Sequence, residues 1–276
     1  MTGWISTVSI FRDTLFSGKV ALITGGATGI GRGIAEALAR HGADLALLSR
    51  KADNLASTAA EIEATTGRRC LALPADVRNP EAVDSAVART ITELGRLDLL
   101  VNNAAGNFPC ASEDLSPNGF GAVIDIDAKG TWHASRSVFR GWMKEHGGQI
   151  LNISATLHYG GTPGQLHVAA AKAAVDAMTR TLAVEWGPLG VRVNAIAPGP
   201  IGDTEGARRL FPGPLADRLR ALIPTRRLGS IDDIVNLALF VLSEAASNLN
   251  GTILVSDGGL CLAGRFPLEP ESRPGV

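Results

Sequence analysis

The sequence predicts an α/β fold: a doubly wound parallel sheet of strand order 3-2-1-4-5-6-7 with helices on both faces. Three observations carry that prediction. Short runs rich in leucine and β-branched residues alternate with longer amphipathic stretches along most of the 276 residues, the pattern of repeated right-handed strand-helix-strand crossovers. A glycine-rich turn separates the first such run from the first amphipathic stretch. No linker or shift in composition divides the chain, so one domain spanning 1–276 is expected, long enough to bury about three quarters of its unfolded surface.

Strands are expected at 19–24, 43–48, 71–75, 97–102, 148–153, 191–196 and 252–256, with helices between them. The first strand runs into ITGGATGIGRGIAEALARHG. Its glycines Gly25, Gly29 and Gly31 sit after a strand and before a helix, where they permit a tight turn and close approach of backbone to a pyrophosphate, as in a Rossmann-like dinucleotide site. The second strand ends in LALLSRKAD, with Ser49 and Arg50 where an NAD enzyme usually has a ribose-binding carboxylate. A guanidinium there suits a 2′-phosphate, so NADP(H) is expected over NAD(H). The stretch LHVAAAKAAVDAMTR, 166–180, reads as a helix with Lys172 on an otherwise small, apolar face. The segment 199–229 interrupts the rhythm with glycine, proline and six arginines and is expected to form a lid beside the site.

Composition narrows the partners. Lys+Arg 26 against Asp+Glu 27 leaves no electrostatic footprint for nucleic acid or an anionic membrane, which makes a small molecule the expected partner. The three cysteines, Cys70, Cys110 and Cys261, fit neither a disulfide framework nor a C-x-x-C pair. His133, His158 and His167 lack metal-ligand spacing, and no metal is expected. No apolar run approaches the ~18 residues of a membrane span, the opening MTGWISTVSIFRD lacks the pattern of a signal peptide, and a cytoplasmic protein is expected.

The run Thr24 to Gly31, NNAAG at 102–106, Lys172 and PGP at 198–200 resemble the short-chain dehydrogenase/reductase family over roughly 15–260. The resemblance implies Thr28 and Ile30 in the phosphate loop, Asp76 and Val77 near the adenine, and Asn103 and Ala104 under the cofactor. It also implies Pro198, Gly199, Ile201 and Thr204 around the nicotinamide and its phosphates, and Lys172 on the nicotinamide ribose. The family's usual catalytic set is Asn, Ser, Tyr and Lys; here Asp127, Ala155 and Val168 stand at the first three positions.

The departures fall where the 2,4-dienoyl-CoA reductase subfamily also departs. AAGNF at 104–108, VIDIDAKGT at 123–131, KAAVDAMTRTLAVEWGP at 172–188 and APGPIGDTEGARRL at 197–210 resemble that subfamily, its peroxisomal type most, and its Asp/Lys pair matches Asp127 and Lys172. The resemblance implies NADPH-dependent reduction of a 2,4-dienoyl-CoA to a 3-enoyl-CoA in degradation of unsaturated fatty acids. It further implies that Arg50, Arg78 and Arg209 meet the phosphates of coenzyme A, and that Phe108, Ser116 and Asn118 lie beside pantetheine and thioester. A homotetramer is implied, with a dimer as the alternative.

Chemistry explains why such a site can lack its tyrosine. Carbonyl reduction places a negative oxygen beside the hydride acceptor, which Tyr and Ser stabilise and protonate. Conjugate reduction carries the charge away along the chain and needs its proton at carbon, which a water held by Asp127 and Lys172 can deliver. Two alternatives stay open at this point: a ketone or alcohol dehydrogenase with a non-standard donor such as Tyr159, and a non-catalytic NADP(H)-binding protein. Tyr159 is expected to line the pocket.

Overall fold

Seven apolar runs pair into one parallel sheet in the order β3-β2-β1-β4-β5-β6-β7. The strands are β1 (Val20–Thr24), β2 (Asp44–Ser49), β3 (Cys70–Pro74), β4 (Leu99–Asn102), β5 (Gly148–Ile153), β6 (Val191–Pro198) and β7 (Ile253–Ser256). The structure, a computed structural model, describes residues 11–210 and 213–263. Each strand falls within two residues of the bounds read from the sequence. The largest shifts, two residues each, are the later start of β4 and the later end of β6; just before β4 the Asp98 carboxylate accepts a hydrogen bond from the Val20 backbone N–H at 2.9 Å.

The helices follow the crossovers: α1 (Gly29–Arg40), α2 (Ala52–Thr66), α3 (Pro80–Leu94), α4 (Pro117–Val123), α5 (Gly130–Val138), α6 (Lys144–His146), α7 (Leu166–Trp186), α8 (Glu205–Leu210), α9 (Pro214–Leu222) and α10 (Ile231–Leu242). Their limits are chemical. At α3, Asn79 accepts from the Ala82 N–H, Pro80 occupies the first turn, and Gly95 closes the other end at φ 84°. Two core layers result, one between the sheet and α1, α2 and α10, the other between the sheet and α3, α5 and α7. The central strands are buried on both faces, as parallel strands require.

Two features were not foreseen. A π-helical stretch, Ile124–Lys129, joins α4 to α5 and carries Asp127, where an ordinary helix was expected. Segment 199–229 is also not irregular throughout, since it holds α8 and α9. Its base is fastened by a bridge from Ile201 to Gly229 and by the Asp203 carboxylate accepting from the Ile231 N–H at 3.0 Å. At its far end the Arg227 guanidinium beside Asp233 holds that carboxyl down to about 2, so the pair stays ionised through the neutral range. Among the described residues no helix is long and apolar enough to cross a membrane.

Candidate active site

Strand order reverses between β2-β1 and β4-β5, and the carboxyl ends of β1 and β4 meet side by side, with Thr24 opposite Asn102. This is the switch point at which open α/β sheets bind ligands. Gly25 turns the chain at φ 65°, and Gly31 is packed so closely that an added Cβ would lie 2.3 Å from Asn103 Nδ2 and 2.4 Å from the Gly25 carbonyl oxygen. Asn103 ties the loop from the next strand, its amide donating to the carbonyls of Thr24 and Gly25 at 3.2 and 3.1 Å. Ala104 N–H donates to Thr24 Oγ1 at 3.0 Å. Thr28 caps α1 by backbone alone, and no acidic side chain stands in the helix's first turn. This leaves the N–H groups of the first turn available to an anion. Thr204 faces them, its Cγ2 3.9 Å from where a Cβ on Gly29 would be. These residues fit a dinucleotide pyrophosphate.

Beyond β2 and β3 a basic corner forms. Ser49 is half-buried and Arg50 exposed. Arg78 grips Asp76 with Nε at 3.0 Å and Nη2 at 2.6 Å, and this contact first, with Arg50 adding its field, holds the Asp76 carboxyl below its ordinary range. Arg78 is therefore already engaged, and Arg50 is the guanidinium more open to a phosphate. Val77 is buried beside them.

The catalytic candidates come together. Asp127 is fully buried and its Oδ1 accepts from the Gly106 N–H at 2.7 Å, while its Oδ2 lies 3.1 Å from Lys172 Nζ. That second contact is an ion pair off the line of a hydrogen bond, so Oδ2 keeps its accepting capacity. Lys172 Nζ donates to the Ile153 carbonyl at 2.9 Å, which anchors it at the end of β5. Val168, at the usual tyrosine position, packs with Val123, Ala128 and Ala171 in a small apolar cluster.

A second buried group escaped the sequence reading. Asp176, four residues after Lys172 on α7 and 2% exposed, accepts from Ser154 Oγ at 2.5 Å and Tyr159 OH at 3.1 Å and meets His158 Nε2 at 2.8 Å. The signal was present in the i,i+4 spacing of two charged residues on an apolar helix. Tyr159 is thus held by a carboxylate; burial first, then the charge of Asp176, pushes its phenol above the ordinary range. Asn102, Asn152 and Thr179 form another unforeseen chain, at 2.8 and 2.9 Å, that locks α7 to the sheet beneath Lys172.

The remaining candidates are more scattered. Phe108 lies against the His167 ring at 4.4 Å, Ser116 accepts from the Gly119 N–H to cap α4, and Asn118 is exposed in its first turn. Pro198 and Gly199 close β6 against Ser256 and Ile201 is buried at the base of the lid. The Arg209 side chain lies outside the described residues. Among the described residues no cluster of His, Cys, Asp or Glu could hold a metal ion.

A nicotinamide-dinucleotide cradle beside a buried Asp/Lys pair defines an oxidoreductase, and the chain belongs to the short-chain dehydrogenase/reductase family. The family model described as Enoyl-(Acyl carrier protein) reductase matches residues 25–261. Peroxisomal 2,4-dienoyl-CoA reductase [(3E)-enoyl-CoA-producing] of Danio rerio is 49% identical, over 94% of this chain and 87% of the relative. The protein of that description from Saccharomyces cerevisiae is 42% identical over 99% and 95%. A solved short chain dehydrogenase from Bacillus anthracis superposes with a TM-score of 0.85 at 42% identity, covering 92% of this chain and 100% of that one.

Proposed function

We propose that this oxidoreductase reduces 2,4-dienoyl-CoA thioesters to 3-enoyl-CoA with NADPH, in the breakdown of unsaturated fatty acids. The observation that carries the reading is Asp127 paired with Lys172 where Val168 replaces the tyrosine, in a chain whose similar relatives are named for this reaction. A bound nicotinamide supplies hydride to the distal carbon of the diene. The chain's part is to orient the thioester and deliver a proton to the carbon beside the carbonyl. Asp127 Oδ2 and Lys172 Nζ hold a water at that carbon, the ammonium offsetting the charge left when the water gives up its proton. Arg50 takes the 2′-phosphate, Phe108, Ser116, Asn118 and Arg209 meet the coenzyme A portion with Arg50 and Arg78, and segment 199–229 closes over both ligands as part of one domain.

NADPH oxidation with a panel of 2,4-dienoyl-CoA, 3-oxoacyl-CoA and free-ketone substrates tests the reading. Rates on the dienoyl thioesters are expected; a rate on ketones alone overturns it. The homotetramer belongs to the proposal, supported by Trp132 on α5 and Val184 on α7, exposed at 39% and 78%, and light scattering measures it. So does the cytoplasmic location, which fractionation of expressing cells decides, since both relatives above are named peroxisomal.

Two substitutions probe the parts. Arg50→Ala is expected to narrow the preference for NADPH over NADH by about 1–3 kcal/mol as a charge-assisted contact is lost; equal dissociation constants in the unmutated protein contradict the assignment. Tyr159→Phe removes a hydroxyl already committed to Asp176, so turnover is expected to fall by less than about tenfold, below the usual loss for a general acid. A thousandfold loss with NADPH binding intact would return the proton donor to Tyr159.

A further inference from the structure

His167 is fully buried, and among the described residues neither of its ring nitrogens has a hydrogen-bond partner. A neutral imidazole always carries one N–H, and burying a donor unmade is costly. Its surroundings connect it to the Asp127/Lys172 pair. The ring lies against Phe108 at 4.4 Å, and two residues before Phe108 the Gly106 N–H holds Asp127. One short strand of loop thus touches both the proton site and the imidazole. His167 also directly precedes Val168, the residue standing in for the missing phenol, in the first turn of α7. The neighbouring Gln165, 8% exposed, presents a buried side-chain oxygen that also lacks a partner.

We propose that His167 donates a hydrogen bond to the thioester carbonyl oxygen of the bound dienoyl substrate, stabilising the charge that collects there during reduction. The inference rests on the substrate reading above. Hydride adds to C5, the C4=C5 pair forms C3=C4, the C2=C3 pair moves between C2 and C1, and the carbonyl pair goes to oxygen. His167 transfers no proton; its N–H faces the oxygen through the dienolate stage. The water at Asp127 and Lys172 then protonates C2, the carbonyl re-forms, and the hydroxide left behind is reprotonated from solvent. The division of labour follows from the chemistry: a carbon acid needs its proton at C2, and the adjacent oxygen needs a donor that keeps its proton. Phe108, 38% exposed, packs its ring on the imidazole and links it to the loop that carries the pantetheine candidates.

The test uses the unmutated enzyme first. Binding of 2,4-hexadienoyl-CoA without cofactor is followed by its ultraviolet band, which a hydrogen bond to the carbonyl moves to longer wavelength. A red shift on binding is expected, lost in His167→Leu, together with a fall in kcat of about 10²–10³, the range for removing one oxyanion donor. NADPH affinity should stay within about twofold, which a merely structural residue would not produce alongside the lost shift. His167→Gln retains an N–H and is expected to keep the red shift and at least about a tenth of the rate. An unshifted band in the unmutated enzyme, or a leucine variant within about threefold of normal kcat, overturns the role of His167 while leaving the dienoyl-CoA reading in place. Absence of any turnover with dienoyl-CoA overturns both.

Discussion

Asp127→Asn is expected to bind NADPH normally and to lose about 10²–10⁴ in turnover of a 2,4-dienoyl-CoA, the range for general acid-base assistance. The substitution barely changes volume and restores the residue usual in the family. The asparagine can still accept the Gly106 N–H that now reaches Oδ1 at 2.7 Å, so the loop stays in place. What changes is the oxygen 3.1 Å from Lys172 Nζ: with the amide oxygen kept on the Gly106 N–H, that position becomes an amide nitrogen, and the charge that orients the water is gone. Adding Val168→Tyr should not rescue the variant. The phenol would enter an apolar cluster around a side chain now 3% exposed, at a cost of about 1–3 kcal/mol for overpacking, and it would face a position suited to ketone reduction rather than C2. Turnover of both single variants and the double variant, with NADPH affinity as control, measures this. A near-normal rate for Asp127→Asn would leave the carboxylate a purely structural role and remove the proton path.

What the sequence discloses and what it hides divide along a physical line. Strand order and the glycine loop were legible because each depends on local signals: apolar runs of strand length, helical periodicity between them, and Gly25 and Gly31 where no side chain fits. Lys172 stood out as a charge on an apolar helix face. The π-helical turn under Asp127 left no such trace, because VIDIDAKGT has the composition of any amphipathic helix and only tertiary contact selects its hydrogen-bond register. The Asp176 cluster was half legible. The residue's spacing from Lys172 was in view, but its partners Ser154, His158 and Tyr159 come from a loop whose path the sequence does not encode locally. His167 was legible only as a histidine that could face the substrate; whether its nitrogens are satisfied is set by tertiary contacts that its neighbours Leu166 and Val168 do not encode.

Lys172→Met should destabilise the folded protein by about 3–5 kcal/mol, because it leaves a carboxylate in the interior without its cation. Asp127 is fully buried, and the Gly106 N–H would be its remaining hydrogen-bond donor among the described residues. The methionine fills most of the lysine's volume, which keeps cavity formation from dominating the result. Loss of the donor to the Ile153 carbonyl, now met at 2.9 Å, adds a smaller term of about 1 kcal/mol. The decisive comparison is with Lys172→Met combined with Asp127→Asn. If the penalty comes from the uncompensated charge, the double variant should be more stable than Lys172→Met alone, recovering at least half of what was lost, although both lack activity. Denaturant unfolding of the wild type, the two single variants and the double variant gives the coupling energy directly. Strictly additive losses would mean that Lys172 serves the fold through Ile153 and the packing of α7, and that the pair's charge balance matters to the reaction alone.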